Sequence, residues 1–326
     1  CPIGKWLKYE DEPALTSESS VSEWKTAILR KPLKILYNNS PDKLKELTNC
    51  HIAHLEILNE YIDHLKSNKQ KILNNLTDTK AIVTCGGGAA YFELAYRMIW
   101  LLRKLGWSDS IEYWYLGDKE IDDFMKNALS SLGVNLVDAE QLNKTKLMRI
   151  LHGWELKLFS LFYTKHRYVI FLDADIIPAE NPEYLLNDPN FISSGAIFWT
   201  DPAFGGIPAD GLWACSLPPT NIPDCESGQL VIDKNKCLLG LGTAFKINEH
   251  SDYFYNFFIG DKTTFPLGWM VAKDTFTYVP MSHTEIKYFF DSPVYMHKDF
   301  SGKLFTQHFV LKSKRYLLDG KYDDQP

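Results

Sequence analysis

Several absences narrow what this chain can be. No stretch approaches the ~20 consecutive apolar residues of a membrane-spanning helix. No long basic run is present, and the formal net charge is −6. That argues against a nucleic-acid groove, which must concentrate cations on phosphates. The six cysteines, at positions 1, 50, 85, 215, 225 and 237, never fall as CxxC, so the common zinc arrangements do not fit. Neither GxGxxG nor HExxH occurs, which removes the dinucleotide fingerprint and the helical zinc-protease pattern. No internal repeat is visible.

What remains is an ordinary folded composition, 45% hydrophobic and 23% charged, in a chain of 326 residues. That length suits one large α/β domain, or one with a smaller appendage. Aromatics are plentiful at 14%. They serve core burial first and flat sugar-binding faces second. Cys215, Cys225 and Cys237 lie close enough in sequence for one disulfide in an oxidising compartment. Sequons stand at Asn38, Asn75 and Asn143. Together these point to the secretory pathway.

Residues 1–78 read as a helical stem or lid. Leu44, Leu47, Leu55, Leu58, Ile62, Leu65 and Ile72 recur at helical spacing, with Ser40 as N-cap, Pro41 in the first turn, and room for one break. His51, His54 and His64 on this helix are expected to be solvated. Residues 79–326 read as a second unit, a regularly alternating half at 79–180 and a loop-rich half at 181–326. Strands are expected at 81–85, 111–116, 134–137 and 168–172. Helices are expected at 89–105, up to Ser131, and at 154–163. The alternation predicts a Rossmann-like, mostly parallel sheet with helices on both faces. Ligands of such sheets sit at the carboxyl ends of strands.

The chemistry gathers at that edge. Asp173-Ala174-Asp175 follows the strand 168–172, and two carboxylates two residues apart share one side if the chain stays extended. Such a pair repels itself unless a cation or donors intervene. A hard divalent ion, Mn²⁺ or Mg²⁺, resolves the conflict and can bridge to a diphosphate. Gly86-Gly87-Gly88 after the first strand allows close backbone approach to a ligand at a helix N-terminus. Glu226, in a polar tetrad before the strand 230–233, suits acid/base work or an acceptor hydroxyl. Asp261 suits a helix cap or the site itself. His297 and His308 are candidate third ligands.

These blocks, IVTCGGG (82–88), LDADIIP (172–178), NPEYLL (181–186), GAIFW (195–199), ESGQLVIDK (226–234), DKTTFPLGW (261–269) and QHFV (307–310), resemble the fungal Golgi α-mannosyltransferases of glycosyltransferase family 71. The resemblance spans about residues 80–312. It implies a GT-A fold, a GDP-mannose donor, Mn²⁺ and retention of the α configuration. It implies that 79–180 and 181–326 are the nucleotide-sugar and acceptor halves of a catalytic domain. It implies a type II membrane protein of the Golgi, anchored upstream, whose lumenal domain acts on a glycan or glycoprotein. It also implies Asp175 as metal ligand, Asp173 at the ribose or the metal, and His308 ahead of His297 as the third ligand. Glu226 and Asp261 would face the acceptor and the anomeric carbon. The expected reaction is transfer of mannose in α-1,2 or α-1,3 linkage for protein glycosylation or cell-wall mannan. Two alternatives keep the fold: a UDP-sugar donor such as UDP-N-acetylglucosamine, or an inactive glycan-binding protein.

Overall fold

The computed structural model describes residues 18–30, 41–203, 205–289 and 292–310. Cys1, Ser40 and the Asn38 sequon lie outside them. Two N-terminal helices come first, α1 (Val21–Arg30) and α2 (Pro41–Leu73). An alternating half follows: β1 (Thr77–Cys85), α3 (Gly88–Lys104), β2 (Ser110–Tyr115), α4 (Asp123–Ser131), β3 (Asn135–Asp138), α5 (Ala139–Lys146), α6 (Glu155–Tyr163) and β4 (His166–Leu172). The second half runs β5 (Ile176–Pro178), a 3₁₀ turn (Pro182–Asn187), α7 (Pro189–Ser194), β6 (Ala196–Thr200), α8 (Ala209–Ala214) and β7 (Cys225–Asp233). It ends with α9 (Lys234–Glu249), α10 (Ser251–Phe254), α11 (Thr264–Ala272), β8 (Thr277–Val279), β9 (Thr284–Phe289), β10 (Ser292–Lys298) and β11 (Leu304–Phe309).

The main sheet has the order β3-β2-β1-β4-β7-β6-β8. Strands β1 to β4 are parallel, as are β6 and β8, while β7 runs antiparallel to both its neighbours. Alternation along each strand splits the core into two layers. Ile82, Ile170, Leu172 and Trp199 pack with α3 on one face. Val83, Phe171, Phe198 and Leu230 pack with α6, α9 and α11 on the other. The expected α/β class, mostly parallel with helices on both faces, is therefore observed. A second sheet, β5-β11-β10-β9, was not legible in the sequence.

Three expectations are corrected. First, α2 is one unbroken helix of 33 residues. His64 is exposed on it, but His51 and His54 are buried. The cause is aromatic packing. His54 stacks on Tyr253 at 3.8 Å, His51 stacks on Trp213 at 4.1 Å, and His51 Nδ1 lies 2.8 Å from the Tyr253 hydroxyl. Second, the tetrad Glu226-Ser227-Gly228-Gln229 is part of β7 rather than a lead-in to it. Each polar side chain there has a partner in the site, so burial costs it little. Third, Cys215, Cys225 and Cys237 form no disulfide. Cys215 packs in the layer under α2, and Cys225 and Cys237 pack beneath the sheet. Their thiols lie near backbone carbonyls, Cys225 near Glu226 and Cys237 near Ser194.

The seam between α2 and α10 makes the protein sensitive to acid. Burial lowers His51, His54 and His250, with His54 brought to about 4. A histidine held neutral in the fold but free to charge when unfolded contributes stability above its unfolded pKa near 6.5. That contribution is lost as pH falls towards 4. For His54 alone the loss is about 3 kcal/mol. Urea denaturation at pH 7.5 and 4.5 should show this drop, and His54→Phe, which keeps the stacking, should show a smaller one.

Candidate active site

The site forms where β4 ends. The chain does not stay extended there. The amide of Ile176 donates to the carbonyl of Asp173 at 3.1 Å, closing a turn over Asp173-Ala174-Asp175-Ile176, as in a hydrogen-bonded β-turn. That turn sends β5 into the second sheet, where Ile176 pairs with His308 of β11. The amide of Phe309 donates to the Asp175 carbonyl at 3.2 Å. The turn and the β5–β11 pairing thus set His308 beside the two carboxylates. Ligand atoms of Asp173, Asp175 and His308 all lie within 4.8 Å of one another. The shared direction expected from an extended chain is replaced by convergence through a turn, with the same outcome for the pair.

His308 has two anionic neighbours. Its Nε2 is 3.3 Å from Asp175 Oδ1, and its Nδ1 is 3.2 Å from Glu226 Oε1. Burial works to lower its pKa, but Glu226 and Asp175 outweigh burial and raise it to about 10. Gly228 makes this approach possible, because a Cβ there would sit 2.8 Å from the His308 ring. Glu226 also accepts from the Gly228 amide at 3.0 Å and from Gln229 Nε2 at 3.1 Å. Burial pushes its carboxyl up, but His308 and His297 hold it well below the usual range. His297 stands behind Glu226, with Nε2 at 3.2 Å from it and Nδ1 at 3.1 Å from the Thr284 hydroxyl. It belongs to a second cluster, Glu226, His297 and His308, rather than to the aspartate pair.

Asp261 reaches the site by another route. Its backbone carbonyl accepts from the Thr264 amide at 3.0 Å, but its carboxylate does not cap α11, whose N-cap Thr263 makes no side-chain cap bond. The carboxylate instead lies 3.0 Å from Lys157 Nζ and accepts from the Ser227 hydroxyl at 3.1 Å. Lys157 is also 3.0 Å from Asp173 Oδ2. Burial raises Asp173 to about 6, with Asp175 and Asp261 acting the same way and Lys157 opposing them. Sequence reasoning missed Lys157. The available signal was one lysine inside the apolar run Leu156–Phe162 of α6.

Gly86, Gly87 and Gly88 close β1, next to β4. Their backbone is already engaged: the Gly86 amide donates to Trp114 and the Gly88 amide to Glu120. Gly87 admits the Glu120 carboxylate, which a Cβ would overlap at 1.5 Å, and Gly88 has φ +72°. The close approach expected of these glycines is therefore made, within the protein, by Glu120 and Tyr113. Nearby, a cavity of about 500 Å³ opens past the end of β2, lined by Leu116, Glu140, Asn143, Lys144, Leu151 and His152.

The donor set fits a hard divalent cation: two carboxylates and one imidazole in reach of a common point. The His308 Nδ1 and His297 Nε2 atoms are buried without a well-aligned hydrogen-bond partner. A cation on the Nε2 side would leave Nδ1–H to face Glu226, the carboxylate–histidine support common behind metal ligands.

Residues 79–206 and 221–308 match the family described as "Mannosyltransferase putative". The chain is 28% identical to α-1,2-mannosyltransferase MNN5 of Saccharomyces cerevisiae (strain YJM789) over 71% of its own length and 48% of that protein. It is 27% identical to α-1,2-mannosyltransferase MNN24 of Candida albicans over 74% and 40%. The chain thus spans about half the length, or less, of these curated relatives. Among solved structures it is similar to mouse xyloside xylosyltransferase 1, with a TM-score of 0.42 and 14% identity, covering 62% of this chain and 85% of that one.

Proposed function

The chain belongs to this mannosyltransferase family, and from that premise we propose that it is a GT-A glycosyltransferase that moves mannose from GDP-mannose to a mannose-containing glycan with retention. The convergence of Asp173, Asp175 and His308 within 4.8 Å carries the reading. These three would hold Mn²⁺, or Mg²⁺ in its place. When bound, the ion neutralises charge developing on the departing diphosphate. An α-1,2 linkage is the form favoured by the names of the relatives. The cavity beyond β2 offers room for part of the nucleotide, Asp173 lines the donor side of this reading, and Gly86, Gly87 and Gly88 shape the turn beside it, packed against Glu120 and Tyr113.

Both candidate catalytic carboxylates are held by neighbours. Asp261 is ion-paired with Lys157, and Glu226 accepts from Gly228 and Gln229. A carboxylate so held is a weaker nucleophile. This supports front-side attack, in which the acceptor oxygen bonds to the anomeric carbon as the diphosphate leaves with the acceptor proton. Glu226 and Asp261 then orient groups rather than form a covalent bond.

A Golgi lumenal setting, with a membrane anchor upstream, completes the proposal. Asn75 is an exposed sequon, whereas the Asn143 amide is bound in both directions to Met148. No helix among the described residues is long and apolar enough to cross a membrane.

The test is thermal shift with Mn²⁺ plus GDP or UDP, followed by transfer from GDP-mannose to mannobiose with the linkage read by NMR. Stabilisation by GDP and a new α-mannosidic anomeric signal are expected. Stabilisation by UDP alone, with transfer only from a UDP-sugar, would replace the donor.

A further inference from the structure

We infer that Lys157 is a positioning residue of the transfer reaction, clamping Asp173 and Asp261 so that the cation site and the opposite wall keep one spacing. The inference rests on the reading of the site given above. Lys157 projects from α6 and is 7% exposed. Its ammonium lies 3.0 Å from Asp173 Oδ2, 3.0 Å from Asp261 Oδ2, 3.0 Å from the Ser227 carbonyl and 3.1 Å from its hydroxyl. Three N–H donors are thereby saturated. Its Nζ also stands 5.0 Å from the centre of the Phe171 ring, a distance at which a cation is attracted to an aromatic face. Four separate pieces of chain meet at this one atom: α6, the turn after β4, β7 and the segment before α11.

A buried lysine is costly, and replacing a whole buried charge cluster by apolar residues often gives equal stability, whereas removing the lysine alone would strand two carboxylates. Packing alone therefore does not explain its presence beside this acidic cluster. The geometry gives it two tasks. It engages one oxygen of Asp173, so that carboxylate is held in one orientation with Oδ1 turned to a cation or a ribose in this reading. It fixes Asp261 through Oδ2 with Ser227 as a second brace, leaving Oδ1 for a sugar hydroxyl. Held between the Asp173 and Asp261 carboxylates, its ammonium acts as a fixed positive charge.

Lys157→Met separates this role from a structural one. Losing the positive charge leaves the acidic cluster more negative, so Mn²⁺ titrated alone and followed by EPR should bind at least as tightly as to the wild type. The kcat with GDP-mannose should fall about 10²-fold, the size of a small misplacement of reacting groups. Adding Asp261→Asn to this variant should cost little more, because residues acting as a unit are not additive. A kcat within threefold of wild type, or Mn²⁺ affinity falling together with kcat, overturns the role. So does a full additional loss from Asp261→Asn. Should Lys157→Met not fold, Asp261→Asn alone carries the test, and wild-type kcat in it overturns the clamp. An Asp175→Asn enzyme that still binds Mn²⁺ overturns the cation reading itself. If Asp175→Asn loses Mn²⁺ while Lys157→Met keeps its kcat, only the role of Lys157 falls.

Discussion

Asp175→Asn is expected to lower kcat/KM for mannose transfer by on the order of 10³-fold, at the upper end for loss of one preorganised charge. The substitution keeps volume and shape, so packing is preserved. The Asp175 carbonyl goes on accepting from Phe309, which keeps β5 beside β11. What disappears is an anionic oxygen 3.3 Å from His308 Nε2, in a position only 3% exposed. Water cannot replace that charge at so buried a place. Asp173→Asn should cost less, because one Asp173 oxygen is already engaged by Lys157. Initial rates with GDP-mannose and mannobiose measure the first effect. Melting curves with Mn²⁺ and GDP check the cation separately: the stabilisation these give in the wild type should vanish in Asp175→Asn. A variant that retains more than a tenth of the wild-type rate removes the cation from the reaction.

The aspartate pair was legible because it is local: an apolar strand, then two carboxylates two residues apart. The parallel half of the sheet was legible for the same reason, since each strand and its helix carry their own periodicity. The partners of the pair were not. His308 reaches Asp175 only because β5 leaves the turn and pairs with β11, and no local pattern around residues 176 and 308 announces that pairing. The family resemblance, rather than periodicity, had singled out His308. Lys157 is a lone cation in an apolar stretch and Ser227 an ordinary member of a polar tetrad, which a pattern reads as noise until the fold sets them against Asp173 and Asp261. The buried histidines of α2 illustrate the reverse. Helical spacing found the helix, but one apolar stripe could not report that the neighbouring face meets Tyr253 and Trp213.

Arg149→Met should destabilise the protein by about 3 kcal/mol, the lower end of the cost of breaking a buried ion pair from one side, because the pair is partly buried. The guanidinium meets Asp252 with both arms, at 2.8 and 2.6 Å, and the two side chains are 8% and 14% exposed. Its Nε donates to the Ile28 carbonyl at 2.7 Å and Nη1 to the Glu249 carbonyl at 3.1 Å. Ile28 lies in the last turn of α1, where carbonyls lack helical partners and a cation is favourable. One side chain therefore joins α1 to the end of α9 and to α10. Without it, the partly buried Asp252 carboxylate loses its partner and the end of α1 loses its cap. Urea denaturation should show the loss as a lower midpoint with an unchanged slope. Arg149→Met combined with Asp252→Leu should recover much of it, because an apolar pair has no charge left to strand. Failure of that recovery would mean that the carbonyl contacts, rather than the buried charge, dominate. Because α10 leads into the segment carrying Asp261, the same variant tests whether the N-terminal helices brace the site. At a temperature where it remains folded, kcat per folded molecule should equal that of wild type, since Arg149 is held by Asp252, Glu249 and Ile28, which are not site residues. A fall in kcat under those conditions would show that α1 and α2 hold the reacting groups in place as well as stabilising the fold.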